Sequence, residues 1–142
     1  MKRRTCLKAM AGAMLAAAGR AVIPAVADTV ADPTAGQGRP IQLHLDLAVD
    51  PAKEEEMLHI FETSFRPAAA NQPGYIDSRM LKLQSVFRGA APPGTNYQFV
   101  LTFASEELRQ KWVSTEIHKQ LWPTIENTLT SKNYSRLLYE VY

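Results

Sequence analysis

The sequence predicts an α+β sandwich of order β-α-β-β-α-β, four strands with helices packed on one face of the sheet. Three observations carry that expectation. Apolar and polar residues alternate over 41–49 and again over 97–103. Segments of helical spacing follow helix-start signals at Asp50-Pro51 and at Ser105-Glu106-Glu107. Tyr75 to Phe87 and Tyr134 to Tyr142, which complete the order, have the aromatic and β-branched composition of strands.

The first strand is Ile41, Leu43, Leu45, Leu47 and Val49, alternating with Gln42, His44, Asp46 and Ala48; a period of two puts the aliphatic set on one face. Asp50 then caps a helix that Pro51 opens. Glu54, Glu55 and Glu56 suit the positive end of its dipole and read as a solvated face, while Met57, Phe61 and Phe65 form its buried stripe. Asn71-Gln72-Pro73-Gly74 ends that helix, and Tyr75 to Phe87 reads as a long strand. The loop Ala90 to Thr95, with two prolines and Gly94, leads into the third strand, where Tyr97, Phe99, Leu101 and Phe103 share a face. The second helix carries Leu108 and Trp112. A further helical piece after Ser114-Thr115 carries Ile117, Leu121, Ile125 and Leu129, with a kink or restart expected at Pro123. Tyr134 to Tyr142 closes the sheet.

Ahead of this domain the chain begins Met1-Lys2-Arg3-Arg4-Thr5-Cys6-Leu7-Lys8, followed by an Ala/Gly/Met-rich stretch and Ala25-Val26-Ala27. A basic start, a short apolar run and a small-residue cleavage site describe a secretory signal peptide over residues 1–27. The paired arginines before Leu7-Lys8 resemble the twin-arginine export motif, so a periplasmic or secreted location is expected. The run is too short and glycine-rich for a stable membrane anchor. Residues 28–40 read as a flexible leader and 41–142 as the domain.

The whole chain has 16 Lys and Arg against 14 Asp and Glu, but all five basic residues of the leader peptide would leave with it. Eleven against 14 gives the mature chain a net charge of −3. No basic patch then suggests nucleic acid. The one cysteine, Cys6, is lost as well, which excludes disulfides and thiolate chemistry in the mature protein. No Gly-rich phosphate loop or G-x-S-x-G elbow is present.

With the elements placed, residues 41–142 resemble the antibiotic biosynthesis monooxygenase family of dimeric α/β barrels, ferredoxin-like sandwiches paired face to face. The matching pieces are Gln72-Pro73-Gly74-Tyr75-Ile76 at the entry to the second strand, Phe103-Ala104-Ser105-Glu106-Glu107, Trp112, and His118 six positions later. The resemblance implies a homodimer, and a cofactor-free monooxygenase acting on a small quinol or polyphenol-like aromatic. It also brings in haem-degrading members, which combine a first-strand asparagine with a tryptophan and a more distant histidine. The first strand here has His44 and Asp46 instead, and the interval from Trp112 to His118 is shorter, so haem is disfavoured.

The site residues expected on this reading are His118 as catalytic base, with Trp112, Trp122 and Phe65 holding an aromatic substrate. His118 and Trp122 lie one turn apart on a helical face that borders the apolar stripe. A histidine there is either an amphipathic residue at the rim of the core or a general base titrating near neutrality. His44, His59 and His118 show no helical ligand spacing, so no metal site is expected. The dimer expectation rests on aromatic side chains left on the open sheet face, drawn from Tyr75, Tyr97, Phe99, Phe103, Tyr134 and Tyr139. A non-catalytic binder of a small apolar ligand, or an exported structural dimer, uses the same sequence features.

Overall fold

A computed structural model describes residues 38–142; the expected signal peptide and most of the expected leader lie outside the described residues. The sheet has four strands, β1 (Ile41–Leu47), β2 (Tyr75–Lys82), β3 (Tyr97–Phe103) and β4 (Arg136–Glu140), in the order β2-β3-β1-β4. Every neighbouring pair is antiparallel. Helices α1 (Glu54–Ile60), α2 (Arg66–Ala70), α3 (Glu106–Val113) and α4 (Glu116–Glu126) supply the second layer.

Register explains which face meets the helices. Leu45 stands opposite Phe99 and Leu47 opposite Tyr97, and all four are buried. Burying one large apolar side chain is worth ~1.5–3 kcal/mol, so Tyr97, Phe99, Leu101 and Phe103 together outweigh Val100 on the opposite face of β3. The core is completed by Met57, Phe61, Phe65, Ala69, Trp112 and Ile125 from the helical layer.

That arrangement corrects the expected composition of the open face. Tyr97, Phe99 and Phe103 belong to the core, and Tyr75 and Tyr134 pack against it. Of the six aromatics, Tyr139 alone shares the open face with Gln42 and His44, its ring 4.7 Å from the imidazole. Beside them lie Gln98, Thr102, Asp77, Arg79, Val100, Leu81 and Leu137, a mixed surface rather than an aromatic one.

The first helical segment begins as predicted. Asp50 Oδ1 accepts a hydrogen bond from Ala52 N at 2.9 Å and Pro51 opens a 3₁₀ turn over Pro51–Lys53. Glu54 then does more than face solvent: it accepts from the Tyr97 phenol at 2.5 Å and pairs with Lys82 at 2.6 Å, tying the start of α1 to two strands. Between α1 and α2 the helix widens into a π-turn over Phe61–Phe65, where Arg66 N reaches back to Phe61 O. Pro67 is the cause, because it has no N–H for the Thr63 carbonyl and its ring crowds that group.

Other boundaries differ from the sequence expectation. β2 ends at Lys82 rather than Phe87, because β3 begins only at Tyr97 and leaves Val86 and Phe87 without a partner strand. β4 is shorter at both ends. Helix α4 is continuous through Pro123; Lys119, whose carbonyl forfeits a donor, sits at an exposed position. Ile117 is exposed, so the buried stripe of α4 rests on Ile125 with Leu121 and Trp122. At the entry to β2, Gly74 has φ +86°, and a Cβ there would lie 2.5 Å from Leu108 Cδ1. Glycine is therefore required on both conformational and steric grounds, and it lets α3 close onto the sheet.

Candidate active site

A cavity of about 230 Å³ lies between the sheet and the helical layer. Its floor is Leu43 and Leu45 of β1 with Phe99 and Leu101 of β3. Phe65 from the π-turn, Val113 from α3, and His118 and Trp122 from α4 form the walls, and Arg109 and Arg136 complete the lining. Six parts of the chain, β1, the π-turn, β3, α3, α4 and β4, thus converge on one largely apolar space with a single imidazole.

Local sequence sets the position of His118. Thr115 caps α4, its Oγ1 accepting from His118 N at 3.3 Å and donating to Trp112 O at 2.7 Å. This bond pair fixes the turn between α3 and α4. The imidazole stacks nearly parallel to Trp122, 6.3 Å away at 14°, and meets Trp112 edge-on at 5.0 Å and 89°. Its ring nitrogens have no hydrogen-bond partner among the described residues, so they stay available to a bound molecule. Burial, reinforced by the guanidiniums of Arg109 and Arg136, pushes the His118 pKa down to about 4. The expected titration near neutrality is corrected: this histidine is uncharged at pH 7.

Trp122 is held by a compact polar network. Its indole N–H is shared between Glu126 Oε1 at 3.1 Å and Tyr134 Oη at 2.9 Å. The Tyr134 phenol donates to the same Glu126 oxygen at 2.6 Å and accepts from Arg136 Nη2 at 3.1 Å. Burial and the bond to Glu126 push the Tyr134 pKa up, so the phenol keeps its proton. The indole face is presented to the cavity while its polar edge is satisfied.

The structure brings Phe65, His118 and Trp122 together, as expected, but not Trp112. That indole is 1% exposed and lies behind His118 rather than on the cavity wall, a correction to its expected role as a substrate contact. Its Nε1 is buried without a partner among the described residues. Arg109, Arg136, Glu126 and Tyr134 were not foreseen. Only Arg109 left a trace, in its i,i+3 spacing from Glu106, and that spacing points equally to an ordinary surface ion pair.

The three histidines are dispersed. His44 lies on the open face, 2.7 Å from Gln42 Oε1, and His59 is exposed on α1. Among the described residues no group of three or more His, Cys, Asp or Glu is placed to hold a metal ion. Among the same residues no helix is long and apolar enough to cross a membrane.

Comparison with solved structures agrees with this architecture. SnoaB, a cofactor-independent oxygenase from Streptomyces nogalater, superposes with a TM-score of 0.55 at 11% identity, covering 74% of this chain and 95% of that one. A Caulobacter crescentus protein, named as a candidate antibiotic biosynthesis monooxygenase, gives 0.58 at 19% identity, covering 75% and 92%. A dimeric ferredoxin-like protein of unknown function from Jannaschia sp. CCS1 gives 0.61 at 12% identity, covering 72% and 99%. The fold is ferredoxin-like. At these identities the likeness extends to the fold alone. No family model and no curated protein matches the sequence.

Proposed function

We propose that this protein is a monooxygenase that oxidises a small quinol or polyphenol-like aromatic with molecular oxygen, needing no metal, flavin or nicotinamide. The observation that carries the reading is the cavity itself: an apolar, ring-lined space containing one uncharged imidazole with open nitrogens. An apolar cavity of about 150 Å³ admits benzene. About 230 Å³ therefore suits one ring or two fused rings.

The chemistry asks little of the protein. A neutral His118 accepts a hydrogen bond from the phenolic hydroxyl. Its low pKa makes full proton transfer uphill, so the proton passes only as the phenolate builds up beside the guanidiniums, which favour the anion. Phe65 and Trp122 hold the ring and keep water away. The electron-rich anion then reduces oxygen directly. In each turnover one oxygen atom enters the ring and the other leaves as water, while the quinol becomes a hydroxyquinone. The substrate supplies all the electrons, so no further reductant is consumed. SnoaB, which shares the fold, is a cofactor-independent oxygenase, and that supports this reading.

The test is oxygen uptake by chelator-treated protein with dihydroxybenzenes and dihydroxynaphthalenes. Uptake several-fold above autoxidation is expected with at least one of them. Autoxidation rates across the whole panel would leave the cavity as a binding site without chemistry.

A homodimer belongs to the same reading. Leu81, Leu137 and Tyr139 are each nearly half exposed on the open face. A second copy against this face would cover them, with a total interface above ~1,000 Å². Light scattering at micromolar concentration should give the mass of two chains; the mass of one would remove the dimer from the proposal.

A further inference from the structure

The cavity has two guanidiniums in its lining and no carboxylate. The acids that pair with them stand outside it. Glu106 grips Arg109 in a bidentate pair, at 2.6 Å to Nε and 2.5 Å to Nη2. Glu126 lies 4.0 Å from Arg136 Nη2, but its Oε1 is already taken up by Trp122 and Tyr134. These carboxylates act as anchors. They aim each guanidinium and offset part of its charge, Glu106 at 2.5–2.6 Å more than Glu126 at 4.0 Å.

The two arginines differ in freedom. The Arg109 side chain is 17% exposed and locked by its fork. Arg136, the first residue of β4, is 63% exposed and makes one side-chain hydrogen bond, to the Tyr134 phenol, among the described residues. One guanidinium is therefore held in an ion pair, and the other has donors left for a ligand at the edge of the cavity.

From this we infer that the cavity binds an aromatic anion, a one- or two-ring aromatic acid whose ring lies against Phe65, Trp122 and the Leu43–Leu45 floor and whose carboxylate pairs with Arg136. The inference rests on reading the cavity as an aromatic site, and not on the oxygen chemistry. A planar guanidinium fork matches a carboxylate. A doubly charged phosphate would call for a second guanidinium with free donors, and Arg109 has committed two of its nitrogens to Glu106. The field at His118 points the same way. After burial, which disfavours charge of either sign, Arg109 and Arg136 oppose a positive charge on the imidazole while Glu126 favours one.

The experiment compares 2-naphthoate with its methyl ester, titrated into wild-type protein and followed by tryptophan fluorescence and calorimetry. The pair shares ring and shape and differs in charge. The acid is expected to bind at least tenfold more tightly, and the difference should shrink as salt is raised. Arg136→Gln should reduce the preference to within about twofold while leaving the affinity for the ester unchanged. Arg136 sits on an exposed edge strand, and Glu126 keeps its bonds to Trp122 and Tyr134 in the variant, so the fold should be retained; circular dichroism checks this. Equal binding of acid and ester, a preference that survives Arg136→Gln, or binding of neither probe would each overturn the inference. Selective binding of the acid by a protein that consumes no oxygen with any quinol would uphold it and remove the oxygenase reading.

Discussion

Phe65→Ala is expected to cost about 3–5 kcal/mol of folding stability, the range for emptying a buried phenylalanine site. Phe65 is 1% exposed and its ring meets five others: Phe61 at 6.3 Å, Phe99 at 5.5 Å, Trp112 at 5.7 Å, His118 at 6.0 Å and Trp122 at 5.6 Å. Truncation removes all five contacts at once and joins the void to the existing cavity. Domains of this size hold only about 5–15 kcal/mol in total, so the variant should sit close to unfolding at growth temperature. Urea titration measures the loss. Phe65→Leu, which keeps most of the volume, should cost less than half as much. A loss below about 1 kcal/mol for the alanine variant would mean that the ring cluster is not the centre of the core.

The second large effect is on turnover. His118→Ala is expected to lower oxygen consumption by ~10²-fold or more, the usual contribution of a positioned general base, with the fold retained. In the wild type, a His118 pKa of about 4 predicts no inflection in the rate near pH 6.5. The same depression has a stability signature. The unfolded chain takes up the His118 proton as pH falls through about 6.5, whereas the native state resists until about pH 4. Stability is therefore lost as pH falls across that window, by on the order of 2 kcal/mol once solvent at the cavity edge is allowed for. Because the alanine variant has no such proton to bind, its stability should fall less over the same range. Parallel curves for the two proteins would show that His118 is solvated like an ordinary surface residue.

What could be read from the chain beforehand follows the range of the interactions. Period-two alternation in β1 and β3, the side-chain caps Asp50 and Ser105, and the Asn71–Gly74 break are local, and each fixed its element. The pairing of His118 with Trp122 was legible too, because one helical turn suffices to bring them together. Arg109 and Arg136 were not. Both line the cavity only because β4 runs beside β1 while α3 packs against β3, and no local pattern marks that juxtaposition. The open face was misassigned for a related reason: in β3 the stronger apolar set goes to the core, so its aromatics could not also be left outside. The π-turn had a signal in Pro67, two positions beyond the Phe61–Phe65 stripe, whose missing donor falls on Thr63.

The proposed reaction inserts oxygen from O₂ into a bound phenol, and isotope labelling follows that atom. Metal-depleted protein is supplied with ¹⁸O₂ and the most active quinol of the panel, and the product mass is read by mass spectrometry. The account predicts one heavy oxygen atom per molecule of hydroxyquinone, formed by the wild type well above the level given by His118→Ala. Product carrying no label, or label acquired from solvent water instead, would contradict it.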